Sequence, residues 1–253
     1  MVVDDSGDSE TAIRLARQLG LPLLSGLADG ANRWKFLLSP TPQGLALQLS
    51  QDRGPGPVRA DLVAPALAYR VRDAVQHQAI AKAVGCKPGV RPTVLDGTAG
   101  LGKDAYLLAS LGCQVLMLER DPIVHALLAD GLARAATSDD SMAIAASQRL
   151  RLRHDDFLRP ATPLPSVDVV YLDPMFPQRR KTAQVKRDLY VLQQYFAVSM
   201  VRGDDPGLLT GALAHAGRRV VVKRPRTAPP LEQRAPDYSL TGSSSRYDIY
   251  LIA

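Results

Sequence analysis

Apolar and polar positions along the chain fall into two periods, and the changes of period mark its elements. From Ser9, the stretch SETAIRLARQLGL carries its apolar residues at helical spacing, with Ser9 as N-cap and Gly20 as stop. RWKFLL and GLALQLS predict two strands joined through SPTPQ, and the glycine- and proline-rich QDRGPGP then breaks the chain. Beyond it, APALAYRVRDAVQHQAIAKAVG predicts a helix ending on Gly85. Strands and helices alternate from there. TVLD, QVLMLER, RLRLRHDDF, VDVVYLD, RRVVVKRP and the terminal RYDIYLIA are the strands. KDAYLLASLG (closed by Gly112), DPIVHALLADGLARAA, RDLYVLQQYFAVSM and PGLLTGALAHAG are the helices.

Such alternation with apolar strands predicts an α/β, Rossmann-like domain, its mostly parallel sheet covered by helices on both faces. The break divides the chain into a small α+β unit over residues 1–57 and the larger domain over 58–253. Trp34, the only tryptophan, is expected in the core of the small unit. Ligands of open α/β sheets bind at the carboxyl ends of the strands. The chemistry of this sequence sits at those ends.

The strand TVLD runs into DGTAGLGKD. Gly97, Gly100 and Gly102 let the backbone turn sharply and let a ligand come close, and the next helix points its N-terminus there. A tight turn without a ligand is the plainer alternative. The second strand ends on Glu119, roughly twenty residues beyond Asp96, where an acid can accept both ribose hydroxyls of an adenosine. A dinucleotide site would carry G-x-G-x-x-G under its pyrophosphate. Here the order is G-x-x-G-x-G, followed by Lys103 and Asp104. HDDF at the third strand offers an acid for the adenine amine, Asp156, and a ring for its face, Phe157. These features fit adenosine without pyrophosphate, and S-adenosylmethionine is the natural candidate.

VVYLDPMFP ends the fourth strand on Asp173. Pro174 pushes Asp173 out of helical backbone and removes an N–H, leaving a carboxylate and carbonyls as acceptors. An exocyclic amine can donate to such acceptors and be held in line with an activated methyl group, while Phe176 stacks on a flipped base. A proline-capped strand end with Met and Phe in the core is the bland alternative.

Composition narrows the rest. The chain has 253 residues, 46% hydrophobic and 22% charged, ordinary for a globular protein with a real core. No apolar run approaches the ~20 residues of a membrane span. MVVDDSGDSE lacks the regions of a secretory signal, and a cytoplasmic protein is expected. Cys86 and Cys113 sit in unrelated segments and suggest no disulfide framework. The histidines are scattered, no Cys/His cluster predicts a metal, and no Ser-His-Asp set can be argued. The formal charge of +6 permits a polyanionic partner. QRRKTAQVKR, directly after the Asp173 motif, places Arg179, Arg180, Lys181, Lys186 and Arg187 where RNA phosphates would pass, unless it is a solvated face. Lys223 and Arg224 of VVVKRP are counted with them.

VVYLDPMFP resembles the [DN]-P-P-[YF] signature of class I amino-methyltransferases, with Met175 replacing the second proline. LDGTAGLGKDAYLLASLGCQVLMLER, YLDPMFPQRRK, VVVKRP with APPL after it, and RYDIY are similar to the RsmJ-type family, which also has Met there. These bacterial enzymes methylate the N2 amine of a guanine in 16S rRNA. The resemblance runs from Ala79 onward and more loosely over the N-terminal unit. It implies an S-adenosylmethionine site of Lys103, Asp104, Glu119, Arg120, Asp156, Phe157 and Asp173, to which the glycine loop adds Asp96, Gly97, Gly100 and Gly102. Lys103 replaces the family's usual arginine, HDDF a small-residue turn, and RDAVQHQ a GGGRG-type segment. The expected enzyme acts on 16S rRNA or the small subunit, as a monomer without membrane or metal. The alternatives are an amino-methyltransferase for DNA adenine or protein glutamine, and an inactive RNA-binding protein of the same fold.

Overall fold

The computed structural model describes residues 2–3, 9–24, 34–50, 56–64, 79–174, 187–199, 205–242 and 245–252. Two sheets organise them. The small one has the order β2-β1-β3-β4, formed by β1 (Val2–Val3), β2 (Leu23–Leu24), β3 (Phe36–Ser39) and β4 (Ala46–Leu49). Helix α1 (Ser9–Leu19) lies between β1 and β2, and Gly20 ends it with φ +64°. β3 and β4 pair antiparallel, as the alternation predicts, whereas the two-residue parallel pair β1–β2 is too short to leave a sequence pattern. Trp34 is a correction: it precedes β3 and is 37% exposed rather than core.

The large sheet follows the predicted alternation, with one further strand, Tyr238–Thr241, that the sequence pattern did not predict. Its strands are β5 (Val94–Asp96), β6 (Val115–Glu119), β7 (Leu150–His154), β8 (Val167–Leu172), β9 (Ala216–Pro225), β10 (Tyr238–Thr241) and β11 (Ser245–Leu251). The order is β10-β11-β9-β8-β5-β6-β7, with β5 to β9 parallel and β11 antiparallel to both neighbours. The chain steps outward from β5 through β6 to β7, then returns to place β8 on the other side of β5. That reversal is the topological switch point, where a crevice opens.

The described helices are α2 (Ala79–Val84), α3 (Lys103–Ser110), α4 (Pro122–Ala136), α5 (Ser141–Ser147), α6 (Arg187–Ser199) and α7 (Leu208–His215). Of the long helix expected before Gly85, only α2 lies among the described residues. Sequence reading missed α5, whose seven residues are too few to show a period. Alternate strand residues enter different cores. Val169, Tyr171 and Val221 pack with α3 and α4, and Val170, Leu172, Val220 and Val222 pack with α7.

The first of these cores also holds Ala12, Leu38, Leu47, Val58 and Ala60, so the small unit and the large domain share one apolar cluster. Helix α4 anchors the junction. Asp130 Oδ2 accepts the Leu45 N–H at 3.0 Å, and Arg134 donates to the Ala60 carbonyl at 2.8 Å. Val58, just past the glycine–proline break, exchanges backbone hydrogen bonds of 2.8 and 2.9 Å with Leu47. The thiols of Cys86 and Cys113, from segments the sequence leaves unrelated, lie 3.4 Å apart as free cysteines.

Gly131 is the point of closest approach, since a Cβ there would stand 2.2 Å from the Ala60 carbonyl oxygen. Backbone cannot yield as a side chain can. Gly131→Ala is expected to cost about 1–3 kcal/mol through overpacking. Urea denaturation checks this, and an unchanged midpoint would show that the junction can slide.

Candidate active site

The loop after β5 is tied to both neighbouring strands. Gly97 N–H donates to the Tyr171 carbonyl of β8 at 3.0 Å, and Ala99 N–H to the Leu118 carbonyl of β6 at 3.0 Å. A Cβ on Gly97 would meet Leu172 Cδ2 at 2.9 Å and the Phe157 ring at 3.0 Å, so the loop lies directly on the apolar floor. Gly102, the N-cap of α3 at φ 71°, would press a Cβ into Leu128 Cδ1 at 2.5 Å.

Glu119 ends β6 and is only 8% exposed. Its Oε2 accepts the Gly100 N–H at 2.8 Å and its Oε1 the Asp121 N–H at 2.9 Å. Each oxygen keeps a second lone pair for a hydroxyl arriving from the cleft. Burial pushes the carboxyl up to about 7, although both backbone bonds pull the other way. Asp96, 2% exposed, is pushed by burial to about 8 against the pull of the Thr98 N–H, which donates to its Oδ1 at 3.1 Å.

Asp121 fixes the start of α4. It accepts from Ile123 and Val124 N–H at 2.9 and 3.0 Å, with Pro122 in the first helical turn. Tyr195 of α6 donates to the same carboxylate at 3.1 Å, and its ring meets Phe36 of the small sheet edge-on at 5.6 Å. At the end of β7, Asp156 Oδ1 accepts the Leu158 N–H at 3.0 Å, a turn that aims Phe157 into the protein at 4% exposure. Arg120 is paired with Asp205, ahead of α7, and stands 3.9 Å from Asp156.

The end of β8 holds the densest charge. Asp173 N–H donates to Thr98 Oγ1 at 2.7 Å, and Asp173 Oδ2 accepts from Lys223 Nζ at 2.7 Å. Lys223 also donates to Asp104 Oδ2 at 2.6 Å, which accepts the Tyr171 hydroxyl at 2.7 Å. Burial raises the Asp173 carboxyl and Lys223 pulls it back, and the 40% exposure of the side chain lets water in the cleft moderate the rise. Burial alone would lower the Lys223 ammonium, but the two carboxylates outweigh it and hold it above the ordinary lysine range.

These strand ends surround an open cleft, and clefts at the carboxyl ends of such sheets are where ligands bind. Gly97, Gly100, Glu119 and Arg120 line one part of it. Asp156, Phe157, Asp173 and Pro174 line another, so eight of the expected residues converge. Asp96, Gly102, Lys103 and Asp104 stand outside the lining: Asp96 and Gly102 shape the loop, Lys103 opens α3, and Asp104 joins the Lys223 cluster. The cleft also uses Thr98, Phe196, Asp205 and Leu208, which the sequence did not single out. Asp205 carries no motif, and only its contact with Arg120 reveals it.

Two expectations are corrected. Arg224 is 1% exposed and donates to the Pro229 carbonyl at 3.2 Å, so its guanidinium is structural and cannot meet an RNA phosphate. Lys223 faces two carboxylates rather than a phosphate surface. Phe176, Arg179, Arg180, Lys181 and Lys186 lie outside the described residues, as does the side chain of Arg187 at the start of α6.

A glycine cradle, a buried acid with free lone pairs and an aromatic floor fit an adenosine-bearing cofactor. Similarity to known proteins agrees. Residues 23–252 match a family described as putative SAM-dependent methyltransferase. Ribosomal RNA small subunit methyltransferase J of Pseudomonas syringae pv. syringae (strain B728a) is 49% identical over 246 residues, 96% of this chain and 88% of that protein. This chain belongs to that methyltransferase family. The same-named protein of Pseudomonas aeruginosa (strain LESB58) is also 49% identical, over 97% of this chain and 91% of its own. A SAM-dependent methyltransferase of Neisseria gonorrhoeae superposes with a TM-score of 0.71 at 29% identity, covering 99% and 95% of the two chains. Bound S-adenosylmethionine supplies the family's activated methyl group, and Glu119, the Gly97–Gly100 turn and Phe157 are the residues that would hold it.

If Glu119 takes the ribose hydroxyls, a carboxyl pushed up to about 7 by burial makes cofactor binding depend on pH. A cationic cofactor favours its ionised form, so affinity should fall as pH drops below about 7 and level off on the alkaline side, with a further contribution from Asp96 near 8. Each titrating group limits its own part of the fall to about tenfold per pH unit. Calorimetry between pH 6 and 8.5 checks this. Glu119→Gln should bind more weakly by roughly 1–3 kcal/mol, with a flatter profile. A pH-independent wild-type affinity would remove Glu119 from the ribose.

Proposed function

We propose that this methyltransferase modifies the N2 amine of a guanine in 16S rRNA, acting in the cytoplasm as a monomer. The observation that carries the chemistry is Asp173. Its Oδ2 is committed to Lys223, while Oδ1 accepts nothing from the described residues and Pro174 adds no donor beside it. The pair therefore offers acceptors to an exocyclic amine at the wall of the cofactor cleft. An acceptor whose hydrogen bond strengthens as positive charge develops on nitrogen lowers the barrier rather than only tightening binding. The name shared by the relatives, ribosomal RNA small subunit methyltransferase J, supports rRNA as substrate. The resemblance of the motifs to the RsmJ-type family supports guanine N2.

In this reading Phe176 stacks on the flipped base, and Arg179, Arg180, Lys181, Lys186 and Arg187 hold the RNA backbone. Residues 1–57 are the small unit, joined to the methyltransferase domain over 58–253 by a shared apolar cluster. No helix among the described residues is long and apolar enough to cross a membrane.

The decisive experiment is labelled-methyl transfer to small-subunit rRNA from a strain lacking this activity, followed by nucleoside analysis. N2-methylguanosine is expected, and label in adenine or in protein glutamine would overturn the substrate. Asp173→Ala should lower the single-turnover rate about 10²-fold, the usual loss for one preorganised contact, with cofactor affinity nearly unchanged. Asp173→Asn should keep part of the rate, because an amide oxygen still accepts. Replacing Arg179, Arg180 and Lys181 together by Ala should flatten the salt dependence of RNA binding by about 0.7–0.9 in log–log slope for each phosphate no longer neutralised. Unaltered binding at every salt concentration would leave that run a solvated face.

A further inference from the structure

Lys223 reaches two acids from two other elements. Asp173 follows the end of β8, and Asp104 sits in the first turn of α3. The lysine ammonium lies 2.7 Å from the first carboxylate and 2.6 Å from the second, with a quarter of its side chain exposed. The register explains the meeting. Tyr171 pairs with Val221 and Leu172 with Val222, so Lys223 comes next, beside Asp173 and on the same face. Tyr171, two residues before Asp173, points its hydroxyl to the shared Asp104 oxygen. Every contact restricts the rotamer of Asp173 or of the group that holds it.

We propose that Lys223 is a positioning residue for methyl transfer, clamping Asp173 through Oδ2 and keeping it ionised, so that Oδ1 is presented to the substrate amine. This rests on Asp173 being the amine acceptor. The charged and titratable groups around Asp173 are Lys223 and Arg224 from β9, Asp104 from α3, Asp96 from β5 and Tyr171 from β8. Burial and Asp104 favour its protonated form, while Lys223, and more weakly Arg224, favour the ionised one. Arg224 is buried against the Pro229 carbonyl, whereas Lys223 is in direct contact. Without the ammonium, Asp104 and Asp173 would be neighbouring carboxylates that share no other cation among the described residues, and such a pair favours retaining a proton. A neutral Asp173 accepts more weakly and no longer stabilises positive charge on nitrogen. The clamp therefore sets the lower pH limit of the reaction.

The test compares wild type with Lys223→Met, Lys223→Arg and a double variant that adds Asp104→Asn to Lys223→Met. Single-turnover methyl transfer to small-subunit rRNA is followed from pH 6 to 9.5 at saturating cofactor. Lys223→Met should move the acid limb up by at least one pH unit, lowering the rate at pH 7 tenfold or more with recovery on the alkaline side. Lys223→Arg should keep the limb close to that of wild type, and Asp104→Asn should restore part of the rate by removing the competing charge. A folded Lys223→Met protein with an unmoved limb would overturn the proposal, whether its rate is unchanged or lower at every pH. If Lys223→Met does not fold, Lys223→Gln keeps a polar donor without the charge and should show the same shift. Carbon-13 titration of the Asp173 carboxyl separates this inference from the substrate reading. If the wild type methylates no rRNA, the substrate reading fails. An Asp173 titration that is the same with and without Lys223 overturns the clamp regardless of substrate.

Discussion

Four carboxylates meet at the carboxyl edge of the large sheet, and holding them there is the constraint around which the structure is organised. Asp104, Glu119 and Asp173 each oppose the ionisation of Asp96, and like charges in a shielded site cannot all ionise without compensation. The compensations differ. Glu119 commits both oxygens to backbone N–H groups from Gly100 and Asp121, which fixes the glycine turn and the entry to α4 together. Burial pushes the Asp96 carboxyl up to about 8, which favours its protonated form. Asp104 and Asp173 divide a single lysine. The surplus of negative charge is what a positively charged methyl donor would find.

The small N-terminal unit is part of this arrangement rather than an appendage beside it. Phe36 of β3 packs on the edge of Tyr195, Tyr195 donates to Asp121, and Asp121 donates its own N–H to Glu119. Lys35 adds a contact to Gln194 on the same helix at 3.3 Å. The unit thereby braces α6, the helix that follows the basic segment, against the strand end that carries Glu119. The shared apolar cluster beneath gives that brace a stiff base.

Much of this was legible from pattern. Strand ends, glycine turns and terminal acids are local features, so Asp96, Glu119 and Asp173 could be placed from their neighbours in the chain alone. What escaped depends on contacts between distant segments. Lys223 and Arg224 are adjacent cations in one strand, and charge alone assigned both to RNA. Strand alternation sends one to the acid cluster and buries the other on the opposite face. Trp34 illustrates the opposite limit, since a lone aromatic before a strand carries no signal of which way it turns. Cys86 and Cys113 became neighbours only through the packing that joins the segment after α2 to the start of β6.

The pairing of β8 with β9 ties the chemistry to the alignment of two strands. Side chains alternate faces with a period of two, so slipping β9 by a single residue would withdraw the ammonium of Lys223 from Asp173 and turn Arg224 toward the acids. Arg224 would then leave the Pro229 carbonyl unanswered, and two carboxylates would face a guanidinium built for another socket. A partly folded or misregistered chain of this sequence has its acids but not their ordering cation. A nascent chain therefore gains that ordering cation only once its sheet has closed in the correct register.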